Sequence, residues 1–366
     1  MLEIIPPGFH LDFIAKAKWA ILLSLAVIVV SVTSIVVHGG LQLGIDFSGG
    51  TLIQLRFSEP VLLSTVRETL GSMNLGNSVV QHFGDEDEVL IRVSEEIDDT
   101  ADVGKQLQQA LQERLPDETI ELRRVEIVGP QVSSDLRRQA LFALFYAILG
   151  IVIYISGRFE AKWFAALGLA VALFALTYGI TQGLPWVSPA VLILVALAVT
   201  VIFCLLLQLH YAMAAIVALL HDVFITVGVF SLFDKPFNLP IVAALLTIIG
   251  YSLNDTIIIF DRIRENMQGQ RRDQFTAMVN TSINQTLSRT VLTSGTTLIV
   301  VLALFVFGGE VIHDFTFALL VGVVTGTYST VFIACPLLIF WQTNAAAQRL
   351  TLVRPSGPQA RRAQRA

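Results

Sequence analysis

Asp255 stands inside Leu245–Asn266, LLTIIGYSLNDTIIIFDRIREN, a run otherwise apolar enough to lie in a membrane. A charge near the bilayer centre costs about 2.5–3.5 kcal/mol on insertion scales, so such a residue faces protein or water and marks a candidate site. Ser252, Asp255 and Thr256 fall at i, i+3 and i+4 and share one helical face. Arg289, followed by Thr293, Thr296 and Thr297, makes a polar stripe on the next apolar segment. Two such faces on consecutive helices are expected to meet each other or a water-filled cleft. His221 and Asp222 form a third ionisable pair, midway along another apolar run.

The chemistry these residue types support is proton transfer. A carboxylate shielded from water holds its proton more tightly, and a guanidinium beside it loosens that hold. Balanced, the two let a proton gradient charge and discharge the acid. A proton crossing the full potential releases about 2.3 kcal/mol per 100 mV. That is enough to switch helix packings differing by a few kcal/mol. Asp255 is therefore the candidate proton relay and Arg289 its counter-charge, with Ser252, Thr256 and Thr293 as hydroxyl neighbours. The alternative is a static polar cluster that only fixes packing. For Asp222 and His221 the structural role is the expectation, because fewer hydroxyls line up with them along the chain. Two carboxylates could share a proton as in an aspartyl protease. However, Asp255 follows Ser-Leu-Asn instead of a Gly-x-Gly setting. No enzymatic activity, metal, cofactor or nucleic acid is expected; the energy source would be the proton motive force.

These residues must be held by membrane helices. Of 366 residues, 54% are hydrophobic and 14% charged, where a soluble domain carries about 25% charged. Mean hydropathy is +0.70. A crossing needs about 20 apolar residues. Eight stretches qualify: 19–37, 139–156, 163–181, 189–209, 211–233, 240–260, 290–308 and 315–341. The boundary near His210 is the least distinct. The first stretch is too long, and lacks a cleavage-like site, to read as a signal peptide, so it is expected to be retained. Cys204 and Cys335 lie in apolar spans and read as buried thiols. Gly322 and Gly326 form a small-xxx-small pair that lets the last helix approach a neighbour.

Lys and Arg mark the cytoplasmic side. They cluster before the first span, after the second, after the sixth and in the tail, so both termini (1–18 and 342–366) are expected in the cytoplasm. The polar stretch 38–137 then lies outside, with 18 Asp/Glu against 8 Lys/Arg. Its pattern reads as βαββαβ: strands at 51–57, 78–83, 88–93 and 120–128, helices at 61–73 and 102–115, and an acidic turn at 84–87. That order predicts a ferredoxin-like α+β domain with no chemistry of its own. GIDFSGGT (44–51) leads into it and reads as a tight glycine turn; a phosphate-binding loop lacks the following Lys and a helix start.

Five segments together resemble the SecD/SecF family of protein-export membrane proteins, on its SecF side. They are GIDFSGGT, VGPQVSSDLRRQA (128–140), ALLHDVFITVGVFSLF (218–233), AALLTIIGYSLNDTIIIFDRIREN (243–266) and GTYSTVFIACPLL (326–338). The resemblance implies a resistance–nodulation–division superfamily subunit that works with SecD at the SecYEG channel. It would use proton motive force to assist export of translocating polypeptides across the bacterial inner membrane. YajC, YidC and membrane lipids are the further associates it implies. It places the family's intramembrane Asp on Asp255 and its essential Arg on Arg289, and includes the His221-Asp222 pair. The runner-up is a superfamily exporter of lipids or small hydrophobic molecules.

One departure concerns Ala161 to His210, which adds two spans to the six-helix core formed by 19–37, 138–160 and 211–341. A lipid-facing hairpin is expected there, with Tyr178 and Trp186 as interfacial anchors and Pro185 and Pro189 at its turn. The stretch 261–287 reads as an amphipathic connector at the cytoplasmic interface, and 354–366 as a disordered basic tail.

Overall fold

A computed structural model describes residues 10–76, 78–93, 100–183, 186–267 and 274–342, with the backbone alone at 100–102. Among the described residues, eight helices are long and apolar enough to cross a membrane. In chain order these are α1 (Phe13–Val37), α5 (Pro130–Glu160), α6 (Trp163–Gly183), α7 (Pro189–Leu206), α8 (His210–Leu232), α9 (Leu239–Met267), α10 (Phe275–Phe307) and the span Glu310–Gln342, which begins with α11 (Glu310–Ser329). Between α1 and α5 lie a short α2 (Ile45–Ser48), β1 (Gly50–Arg56), α3 (Leu63–Ser72), β2 (Val79–Phe83), β3 (Asp85–Val93), α4 (Thr100–Arg114) and β4 (Glu121–Val128).

Hydropathy underestimates the helices because polar turns continue several of them beyond the apolar run. α1 begins at Phe13, with the Asp12 carboxylate accepting from Ala15 N at 3.0 Å, so Lys16 and Lys18 sit inside its first turns. The connector expected over 261–287 is no separate helix: α9 runs on to Met267 and α10 starts at Phe275. The boundary near His210 falls at Leu207–Leu209, where Gln208 turns with φ +55°. Residues 1–9, 268–273 and the tail 354–366 lie outside the described residues, as does Pro185.

α8 is the hub of the bundle, buried on nearly every face. Small residues let its neighbours come close. A Cβ added at Gly228 would lie 2.1 Å from Ser31 of α1. The Gly322–Gly326 pair behaves as its spacing predicts: added Cβ atoms would meet Ile248 at 2.2 Å and Ser252 at 2.9 Å, both on α9. After α11 one turn, Thr330–Ala334, is π-helical. Such turns recur at functional sites because they misalign the helix above and below. α6 and α7 pack on α5 through Phe145, Leu149, Leu169, Leu173 and Ala196. Their other faces, including Phe164, Leu167, Val171, Leu194, Tyr178 and Trp186, are exposed. Both cysteines are free and buried.

The soluble part is a four-stranded antiparallel sheet of order β2-β3-β1-β4. Alternate residues Ile53, Leu55, Val89 and Ile91 face α3 and α4, whose Val66, Leu70, Leu107 and Leu111 complete the core. The turn expected over 84–87 is confined to Gly84 (φ +74°); Asp85–Asp87 are already strand, since Phe83 pairs with Asp85. GIDFSGGT contains α2 and then a sharp bend at Gly49 and Gly50 (φ +75° and +105°). It works as a clamp. Asp46 accepts from Leu239 N at 2.8 Å and so caps α9, while Gly44 N donates to Phe237 O at 2.8 Å. Arg92 of β3 donates to Leu43 O at 2.7 Å, tying sheet to clamp; its burial lowers the guanidinium pKa.

Candidate functional site

Ser252, Asp255 and Thr256 are 1%, 1% and 2% exposed, so the face predicted from their spacing is turned wholly inward. Each reaches a different neighbour. Asp255 Oδ2 accepts from Ser294 Oγ of α10 at 3.1 Å, and Thr327 Oγ1 of α11 donates to that serine at 2.8 Å. Thr256 shares a hydrogen bond with Thr330 at 3.0 Å, at the start of the π turn. Ser252 donates to Asp222 at 2.7 Å.

No ion pair joins Arg289 to Asp255 among the described residues. The guanidinium is exposed and lines a cleft of about 630 Å³ with Asn254, Asp261, Arg158, Arg262 and Thr286. Arg158 and Asp261 pair across this cleft. The stripe expected from Arg289 is therefore displaced. Thr293 and Thr296 donate to carbonyls of their own helix. Thr286, Thr290 and Ser294 are instead the buried hydroxyls in this part of α10, at 8%, 2% and 8% exposure; Thr286 too donates to carbonyls of its own helix, while Ser294 reaches Asp255 of α9. They follow one another at i, i+4 and i+8, steps of about 6 Å. They lead from the cleft, which Thr286 lines, to Asp255. Thr290 Oγ1 is buried with no partner among the described residues. The sequence carried this row as plainly as the other; choosing between them needed the rotation of α10.

Asp222 corrects the sequence expectation of few hydroxyl neighbours. It is 1% exposed, accepts from Ser252 (2.7 Å) and Ser329 (2.8 Å), and shares a hydrogen bond with His221 Nδ1 (3.0 Å). Ser329 lies 107 residues away, so no spacing rule along one helix could find it. His221 Nε2 meets Ser24 of α1 at 3.0 Å. Ser24 in turn meets Tyr328 at 3.0 Å. The two intramembrane carboxylates thus bond to different groups, but both networks end on consecutive residues of one turn, Thr327 to Thr330.

This arrangement can now be set beside known proteins. The model of the protein export membrane protein SecD/SecF C-terminal region matches residues 106–188 and 182–344, and the SecD/SecF GG motif matches 34–61. The chain belongs to the SecD/SecF family. A protein translocase subunit SecF from Desulfurispirillum indicum is 38% identical over 91% of this chain and 92% of its own length. One from Magnetococcus marinus is 41% identical, over 92% and 94%. Among solved structures, SecDF from Thermus thermophilus, described as a translocon-associated membrane protein, superposes with TM-score 0.66 at 30% identity. That match covers 92% of this chain but only 39% of the SecDF chain. A super-membrane-facing form of SecDF gives 0.55, covering 96% and 42%. The GG motif is the clamp with its Gly49-Gly50 bend. The two segments of the C-terminal match overlap at 182–188, between α6 and α7.

Proposed function

We propose that the chain is a SecF-type accessory subunit of the Sec translocase that works with SecD and the translocon and draws on the proton motive force. Asp255 is the proton-carrying group. The observation that carries this reading is a carboxylate 1% exposed inside the bundle, at the end of a hydroxyl row that opens on a polar cleft. Hydroxyls about 6 Å apart hand a proton on only through water between them, and each can both accept from and donate to such a water. Arg289 at the cleft repels excess protons or attracts the discharged acid as the helices shift.

The inner membrane of a bacterium is the site this reading requires. Both termini and the Arg158–Asp261 cleft face the cytoplasm, and the acidic sheet domain faces the periplasm, following the distribution of Lys and Arg. Asn254 and Arg289 are exposed side by side along the cleft without side-chain hydrogen bonds among the described residues. Toward lipid they would be costly. A SecD helix pair covering this face removes that cost and closes the cleft laterally. The hairpin of α6 and α7, apolar outside, faces lipid.

Replacing Asp255 by Asn preserves size and removes the titrating proton. Co-expressed with SecD, the variant is expected to assemble normally and to lose gradient-dependent stimulation of export into inverted membrane vesicles. Full stimulation by Asp255→Asn rejects the relay.

A further inference from the structure

The Asp222–His221 network contains a proton count that its geometry makes legible. Four contacts run in series: Asp222 Oδ1 to His221 Nδ1, His221 Nε2 to Ser24 Oγ, Ser24 Oγ to Tyr328 Oη, and Tyr328 Oη to Ala20 O. Each needs one hydrogen. Ser24 and Tyr328 supply one each, a neutral imidazole one, and a carboxylate none. Three hydrogens cannot fill four contacts. One further proton on the pair fills all of them, whether it is drawn as imidazolium with carboxylate or as imidazole with carboxylic acid. In both drawings Nε2 carries hydrogen toward Ser24. The hydroxyls of Ser252 and Ser329 are separate, since both donate to the other oxygen, Oδ2.

We propose that Asp222 and His221 together form a second proton-binding site, loaded in this conformation, whose discharge costs α1 one of its polar ties to the bundle. When the proton leaves, Nδ1–H remains on the carboxylate and Nε2 becomes an acceptor. Ser24 then has a single hydrogen for two neighbours. It keeps its contact with His221 of α8 or with Tyr328 of α11, but not both. α1 has few other polar ties to α8: the Ser34–Ser231 bond at 2.9 Å is one. The groups facing the pair are few. α8 contributes His221 itself, α11 contributes Tyr328 and Ser329, α9 contributes Ser252, and α1 contributes only Ser24. Asp255, one turn along α9, bonds to Ser294 instead. Lys16 and Lys18 are exposed at the start of α1. The site is thus a group of residues separate from Asp255, yet Ser329 places it on the same turn of α11 as Thr327 and Thr330.

The test is ¹⁵N magnetic resonance of histidine-labelled full chain with SecD in lipid bilayers, the His221 signals being assigned by His221→Gln. Nε2 is expected to be protonated at low pH and to lose its hydrogen in one transition as pH rises. Asp222→Asn removes that transition or moves it by about one pH unit or more. Ser24→Ala leaves both titrating groups in place and also moves it. Asp255→Asn keeps it, so the result stands apart from the relay reading. A Nε2 that stays in one state throughout overturns the site, and so does a transition indifferent to Asp222→Asn or Ser24→Ala. Loss of the transition in Asp255→Asn assigns the proton elsewhere and overturns it too.

Discussion

At the scale of single residues, Thr290 is informative because, among the described residues, its buried hydroxyl has no partner. The residue is 2% exposed. Leaving a buried hydroxyl unpaired costs about 1–3 kcal/mol. Thr290→Val keeps the shape and removes that penalty. A packing role alone predicts an unchanged or higher melting temperature and normal export. A place in the proton row predicts the same melting temperature gain, about 1 kcal/mol by the lower bound, together with a loss of gradient-dependent export. Thermal unfolding in detergent and export by the same variant separate the two. Ser294→Ala differs, because it strips Asp255 of its serine donor. Both stability and export should fall.

At the scale of elements, helix contact is set by where side chains are missing. Gly322 leaves no room for a Cβ, since Ile248 of α9 lies 2.2 Å from the position it would take. Gly322→Val should therefore cost about 1–3 kcal/mol by overpacking. Ile248→Ala in the same chain should recover part of it, a coupling that thermal unfolding of the two singles and the double would measure. This contact was legible in the sequence as a small-xxx-small pair, and so were the eight spans, because apolar length and glycine spacing are local properties. The βαββαβ order was legible for the same reason. What stayed hidden depends on which helices meet. The donors to Asp222 arrive from α9 and α11, and the partner of His221 from α1, 197 residues away. The rotation of α10 decides whether Thr290 or Thr293 faces the bundle, and a helix with hydroxyls on several faces does not announce it. The acidic run Asp85–Asp87 looked like a turn because charge marks exposure, and an exposed edge of a strand is equally charged.

At the scale of the molecule, the sheet domain touches the bundle through the clamp and through the tip of a hairpin, among the described residues. The clamp joins it to α9 through Arg92, Leu43 and Asp46, and to α5 through Phe47 against Ala140. The tip of the β2–β3 hairpin rests on the end of α11, where an added Cβ at Gly84 would lie 2.4 Å from Glu310 Cγ. α11 carries Thr327 and Ser329 and runs on into Thr330, so a shift at the proposed proton sites would have a direct mechanical route to the hairpin. Cysteines at positions 84 and 310 would put two thiols at this contact, where a disulfide would hold the hairpin on α11. Oxidation should block export stimulation, and reductant should restore it. Stimulation that survives a fully formed bridge would mean that this contact never opens during the cycle.

The central claim is that proton flow through Asp255 drives the subunit's contribution to export. The most direct measurement compares export into vesicles with and without this chain while an uncoupler collapses the gradient in steps and ATP is held constant. The account predicts that the chain-dependent increment falls with the gradient to zero, and is zero at every gradient for Asp255→Asn. An increment that persists undiminished after the gradient is gone would contradict it.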